Sequence, residues 1–224
     1  MHAVVPFAAT DPKTRLASVL SPAERSTVAR AMLADVLTAI VEAGAEPTVV
    51  STAPLDLDTL SLEATIRDAV SVTVDDRPLT EAVNARLPAS HDAAPTAVIM
   101  ADLALATPDT LERCFSHDTD VTIAPGRSGG TNALVVSHPD FRVDYHGASY
   151  LDHCEIARDV GTSLETVDSF RLSTDIDEPD DLVEVLIHGT EADRAPACLR
   201  ELGFALETRD GRVGVARLEE TRRE

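Results

Sequence analysis

The chain has 224 residues, of which 39 are acidic and 19 basic, for a formal charge of −20, and aromatic residues make up only 3%. A surface this acidic repels nucleic-acid phosphates and anionic membranes, so neither is an expected partner. The 44% hydrophobic content argues against disorder, because high charge prevents collapse only when hydrophobicity is low, and the length suits one core with at most a small appendage.

The first predicted element is a strand in AVVPFAA. A long helix follows in SPAERSTVARAMLADVLTAIVEAG, with Ser21 as N-cap, Pro22 at the first helical position, Glu24 three residues after the cap and Gly44 as the stop. PTVVST reads as the next strand, residues 62–74 as a mixed segment, and LTEAVNARL as a helix. TAVIMAD is an almost wholly apolar strand ending in Asp102; such a run implies cover on both faces, the habit of parallel sheets. The alternation continues through TPDTLERCF, DVTIAP, NALVVS, YLDHCEIARDVG, LETVDSF, RLSTDID and PDDLVEVLIHG. That order predicts an α/β fold: an open, mostly parallel mixed sheet with helices on both faces. After Gly189 one helix and two strands are expected, joined at Asp210-Gly211, a hairpin signal. The organisation is therefore a core over 1–189 and a helix-hairpin extension over 190–224, which covers a sheet edge or forms a subunit contact, as in a homodimer.

Cys114, Cys154 and Cys198 are widely spaced and form no C-x-x-C pair, so reduced thiols in a cytoplasmic protein are expected rather than a disulfide framework or a zinc site. No stretch reaches the roughly 18 apolar residues of a membrane span. H-E-x-x-H, G-x-S-x-G and G-x-x-x-x-G-K-[ST] patterns do not occur.

Ligands of open α/β sheets bind beyond the carboxyl ends of strands, which directs attention to four loops. The first carries Lys13, the sole lysine among the basic residues, with Arg15 two places on. The second carries Asp102; helix capping is its plainer role, although Thr107 and Pro108 already supply a start signal. In GRSGGTN, successive glycines beside Thr131 could form a turn or a backbone nest for an anion. In STDIDEPDD, a strand through Ser173 to Asp177 would put Asp175 and Asp177 on one face with Ile176 opposite, with Asp177 either a cap or a metal ligand. DYHGASYLDH adds Gly147, Ser149 and His153 at a helix start, where backbone amides favour phosphate and where Ser149 could equally be an N-cap. Fixed cations, N–H donors and carboxylates for a divalent metal are what phosphoryl chemistry requires.

The ordered set VVPF, DPKTRL, LSPAER, AMLADVL, MADL, SGGTNAL, YHGASYLDH and DIDEPDDL, spanning about residues 3–188, resembles the 2-phospho-L-lactate guanylyltransferase family of coenzyme F-420 biosynthesis. The resemblance implies a nucleotide-diphospho-sugar-transferase-like fold. It also implies transfer of GMP from GTP to 2-phospholactate or a similar phosphoacid, with magnesium, releasing diphosphate. Position by position it implies metal carboxylates at Asp102 and Asp175 with Asp177 beside them, phosphoacid contacts at Thr131 and the Gly147–Ser149 loop, a triphosphate-facing pair in Lys13 and Arg15, and a position near the nucleotide at Asn84. Ala8, Ala104 and His146 depart from the family's usual residues. Two alternatives use the same fold: a nucleotidyltransferase acting on a sugar phosphate or molybdopterin, and a non-catalytic module binding partners through its acidic face. The acidity and near-absence of lysine predict a halophilic protein whose self-repulsion is screened by salt.

Overall fold

The computed structural model describes residues 1–209 and 211–218, so Asp210, half of the expected hairpin signal, lies outside the described residues. Strand β1 (His2–Phe7) runs through a loop and a 3₁₀ turn at Thr14–Ser18 into helix α1 (Pro22–Glu42). The start of α1 is set locally: the Ser21 hydroxyl accepts from the Glu24 N–H, the Glu24 carboxylate accepts from the Ser21 N–H, and Pro22 opens the helix. Just past its end, Gly44 adopts φ +77°, the left-handed turn that releases the chain into β2.

There follow β2 (Glu46–Ser51), α2 (Ala64–Ala69), β3 (Ser71–Val74), α3 (Leu79–Asn84), β4 (Thr96–Ile99) and α4 (Pro108–Phe115). The chain continues through β5 (Val121–Pro125), β6 (Thr131–Val136), α5 (Ser149–Val160), β7 (Leu164–Thr166), α6 (Phe170–Ser173) and α7 (Asp181–His188). It closes with α8 (Arg194–Glu201), β8 (Phe204–Arg209) and β9 (Arg212–Arg217).

Seven strands form one sheet in the order β3-β2-β1-β4-β6-β5-β7. The β1–β2, β1–β4, β2–β3 and β5–β7 pairs are parallel, whereas β6 runs antiparallel to β4 and β5. Helices cover both faces, and β1 shows why. Ala3, Val5 and Phe7 join Leu33, Leu37 and Ile40 of α1, while Val4 faces the other way to Val83 of α3 and Ala157 of α5. All four residues of β4 are buried, as its unbroken apolar run requires. The chain leaves β1 toward β2 on one side and returns to β4 on the other. The crevice between the carboxyl ends of β1 and β4 is thus the topological switch point, where ligands of such sheets bind.

Two expectations need correction. Residues 173–177 form no strand: α6 ends at Ser173 and the chain then runs irregularly, with the Ile176 N–H donating to the Asp102 carbonyl in a 3.3 Å backbone hydrogen bond. The facing survives without a ladder, because Thr174 and Ile176 are buried while Asp175 and Asp177 remain half-exposed. The described residues of the C-terminal extension do not pair with an edge of the large sheet. Its hairpin is a separate two-stranded sheet, and Ala195, Leu199 and Phe204 share a core with Val28 and Met32 of α1 and Val185 of α7.

Candidate active site

The loop after β1 is shaped by strain and then pinned. Asp11 and Lys13 both adopt positive φ, 45° and 54°, a conformation that costs of order 1 kcal/mol for residues with a Cβ and persists only where the surroundings enforce it. Arg25, buried on α1, enforces it: its guanidinium donates to the Pro12 carbonyl and to Asp11 Oδ1, each at 2.6 Å. Sequence reading missed Arg25, which lies one turn into a helix and resembles any other amphipathic arginine.

The pinned loop delivers Lys13 into the switch-point crevice. Its ammonium donates to Asp102 Oδ2 at 2.6 Å and to Asp177 Oδ1 at 2.7 Å, and Arg15 Nη1 reaches Asp177 Oδ2 at 2.9 Å. Burial alone would pull the Lys13 pKa down; the two carboxylates outweigh it and hold the pKa above the ordinary lysine value. Asp177 is thus an ion-pair partner of the loop and not the cap of α7, a position held by Asp180. The segment 177–178 is fixed from below, because Asp181 accepts the N–H groups of Asp177 and Glu178 and also pairs with Arg127.

Asp175 lies beside this group. Burial raises its pKa, a hydrogen bond from Asn132 opposes that, and the charges of Asp102 and Asp177 reinforce it. Asn132 links the two halves of the site: its amide donates to Asp175 Oδ1 at 3.1 Å and to the Leu172 carbonyl at 3.0 Å. The amide also explains Gly126, where an added Cβ would lie 2.7 Å from Asn132 Oδ1.

Next to Asn132, Thr131 heads the other half. Its hydroxyl lies 2.8 Å from Nδ1 of the fully buried His153 and 3.5 Å from the Ser149 hydroxyl. His153 Nε2 accepts the Asp144 N–H at 2.9 Å, so the ring proton sits on Nδ1 and is donated to Thr131. That leaves the Thr131 hydroxyl hydrogen for another acceptor. Burial pushes the His153 pKa down to about 4 against weaker opposition from Asp152 and Asp144. The glycine loop and the start of α5 are stitched together, since the Tyr150 N–H donates to the Gly129 carbonyl. Gly147, at φ +50°, turns the chain into α5; Ala148 holds the N-cap position, and Ser149, the first helical residue, faces Thr131.

A cleft of about 450 Å³ opens over the β1/β4 crevice, and Lys13, Arg15, Asp102, Asp177, Asp75, Arg77, Leu79 and Val83 are among the residues that line it. Asp175, Thr131, Gly147 and Ser149 are not among the residues lining it, and neither is Asn84. Its amide donates to the Val143 carbonyl at 2.9 Å and its Oδ1 accepts the Val143 N–H at 2.8 Å, tying α3 to the segment before α5. Among the described residues, no three His, Cys, Asp or Glu side chains converge on one point to form a ready-made metal cage. Even so, the carboxylates suit a hard cation. Asp102 Oδ1 is buried without a hydrogen-bond partner among the described residues, and magnesium characteristically takes one or two protein carboxylates together with substrate phosphates.

Comparison with known proteins fits this geometry. Residues 1–220 match the family model described as "Guanylyl transferase CofC like". The 2-phospho-L-lactate guanylyltransferase of Haloterrigena turkmenica is 73% identical, with 99% of each chain covered, and the protein of the same name from Natrialba magadii is 60% identical over 97% of this chain and 99% of its own. Among solved structures, one described as a nucleotide-diphospho-sugar transferase from Desulfovibrio desulfuricans superposes with a TM-score of 0.69, covering 89% of this chain and 94% of the other at 16% identity. That last likeness is one of fold.

Proposed function

This chain belongs to the CofC-like guanylyl transferase family, and from that premise we propose that it joins the GMP moiety of GTP to 2-phospho-L-lactate or a closely similar phosphoacid, releasing diphosphate. It is a nucleotidyltransferase, and the convergence of Lys13 and Arg15 with Asp102 and Asp177 at the switch point is the observation that carries the reading. The fold alone would serve many transferases; the site narrows the chemistry.

Lys13 and Arg15 would face the triphosphate, where their charge offsets the negative charge that builds on the departing diphosphate. The Thr131 hydroxyl, oriented by His153, and the N–H groups at the start of α5 would hold the acceptor phosphate. That phosphate is already ionised at neutral pH, so no general base is needed, and the contribution of the protein is to align it with the α-phosphorus and exclude water. Mg²⁺ held by Asp102 and Asp175, with Asp177 beside them, would supply fixed positive charge against the phosphates. Asp177 and Asp102 are engaged by Lys13 in this structure, so the ammonium and the cation would share the carboxylates once both are present.

Among the described residues no helix is long and apolar enough to cross a membrane, and we place the activity in the cytoplasm, where GTP is supplied and the free thiols of Cys114, Cys154 and Cys198 stay reduced. The test is mass spectrometry of the products formed from GTP and magnesium in molar salt with 2-phospholactate, phosphoenolpyruvate or phosphoglycerate in turn. A guanylylated diphosphodiester with at least one of them is expected. Its absence with all three, while a sugar phosphate or pterin accepts the nucleotide, would overturn the assignment.

A further inference from the structure

We propose that Arg77, clamped by Asp75, selects guanine by reading its O6 and N7 atoms within the cleft that Lys13 also lines. The inference rests on the guanylyl-transfer reading and names the selectivity device within the same site.

Asp75 follows the last residue of β3, and its N–H still bonds to the Ser51 carbonyl of β2, so its backbone is an extension of the sheet. Its side chain is 8% exposed and fully engaged. Oδ1 accepts from Arg77 Nε at 2.9 Å, and Oδ2 accepts from Arg77 Nη2 and from Arg86 Nη1, both at 2.7 Å. Arg86 is anchored in turn by donating to the Ala82 carbonyl of α3 at 2.6 Å. Two guanidinium groups thus share one carboxylate, and the charge of Glu81 also acts on Arg77.

The geometry of the Asp75–Arg77 pair determines what remains free. Side-on chelation through Nε and Nη2 consumes one edge of the planar guanidinium and fixes its orientation. The opposite edge, with N–H groups on Nη1 and Nη2, has no other hydrogen bond among the described residues, and the side chain is 48% exposed. Asp75 and Arg77 line the same cleft as Lys13, and Leu79, Ala82 and Val83 of α3 with Met100 give it apolar wall. A nucleotide with its triphosphate against Lys13 has that wall available for its base.

A fixed pair of adjacent donors asks for a pair of adjacent acceptors. Guanine presents them as O6 and N7, whereas adenine presents a donor beside N7 and cytosine presents a donor in the corresponding place; bidentate Arg–guanine pairing discriminates by roughly 10- to 100-fold. Asp75 is the positioning residue, since without it the guanidinium would swing freely in solvent. Lysine at position 77 would supply charge without the fork.

Analogues test this on the unaltered protein. Calorimetric affinities and kcat/KM should be close for GTP and ITP, which share O6 and N7, and about 10-fold weaker for 7-deaza-GTP, which lacks N7. Arg77→Gln should lower the preference for GTP over ATP by about 10- to 100-fold, Arg77→Lys should fail to restore it, and Asp75 stays paired to Arg86 in both, which preserves the fold. Normal use of 7-deaza-GTP with loss of ITP, or undiminished GTP preference in Arg77→Gln, overturns the inference while leaving guanylyl transfer standing. A protein that binds no guanosine nucleotide overturns both.

Discussion

Asp102 divides its carboxylate between two tasks: Oδ2 accepts from Lys13, and Oδ1 lies buried with no partner among the described residues. Removing the charge from either Asp102 or Asp175 takes away something no neighbour replaces. Asp102→Asn and Asp175→Asn are each expected to slow transfer by about 10³-fold or more, roughly 4 kcal/mol of barrier, with thermal melts close to wild type. Near-normal turnover in either variant would refute the role. His153 gives a second prediction, on stability. Its folded pKa of about 4 lies below the ordinary value of 6.5, so its contribution is complete above pH 6.5 and is lost as pH falls through 4. The full window is worth about 3 kcal/mol. Urea melts of wild type and His153→Gln between pH 7 and 4 should differ in slope, with the variant flatter; parallel curves would show that the imidazole does not titrate between the two states.

At the scale of elements, helices here are tied to one another by buried polar groups as well as by packing. Asp35, in the middle of α1, accepts the N–H groups of Arg194 and Ala195 at 2.8 and 2.7 Å and so caps α8 from across the interface. The residue at the N-cap position itself, Asp193, makes no cap bond to α8. Burial lifts the Asp35 pKa to about 6 despite those two bonds. A raised carboxyl pKa means the stabilisation is complete below the unfolded value near 3.9 and is lost as pH rises through 6. Asp35→Ala leaves the part-buried Arg194 N–H and the buried Ala195 N–H unmatched and is expected to cost about 1–3 kcal/mol at pH 5, with a smaller penalty at pH 7.5. Chemical denaturation at the two pH values measures it. A penalty that grows with pH would contradict the sign.

The whole molecule carries 39 acidic and 19 basic residues, and the folded state concentrates that charge. As the screening length falls from about 8 Å at physiological ionic strength to about 3 Å in molar salt, self-repulsion is relieved. The melting temperature is therefore expected to rise from low to molar potassium chloride. The Lys13 ion pairs are largely buried and are screened less than the surface, so initial rates should rise with stability over most of that range. A melting temperature that is flat or falls with salt would leave the acidity to be explained by a cationic partner.

Local chemistry made α1 and α4 legible in the sequence. Ser21 with Glu24 and Thr107 with Thr110 each close a reciprocal cap within three residues, which needs nothing from the rest of the chain. The unbroken apolar run of β4 likewise announced a strand buried on both faces, and alternation along 174–177 set Ile176 inward and the aspartates outward. Whether 173–177 became a strand was decided elsewhere, because a ladder needs a neighbour's free edge and, among the described residues, no strand pairs with it. The site divides in the same way. Lys13, Arg15, Asp102 and Asp177 could be singled out by residue type at the ends of strands, but their meeting within 2.6–2.9 Å depends on β1 and β4 lying side by side. Arg25, Asn132 and Asp35 gave no sequence signal. Each acts on a partner brought near by the fold, in the last case 159 and 160 residues away. Sequence by itself thus determined the elements and the inventory of charges, since caps and side-chain alternation act between near neighbours. Only the tertiary structure decided which charges meet and which polar groups are buried, since both depend on the sheet order that brings distant loops to one crevice.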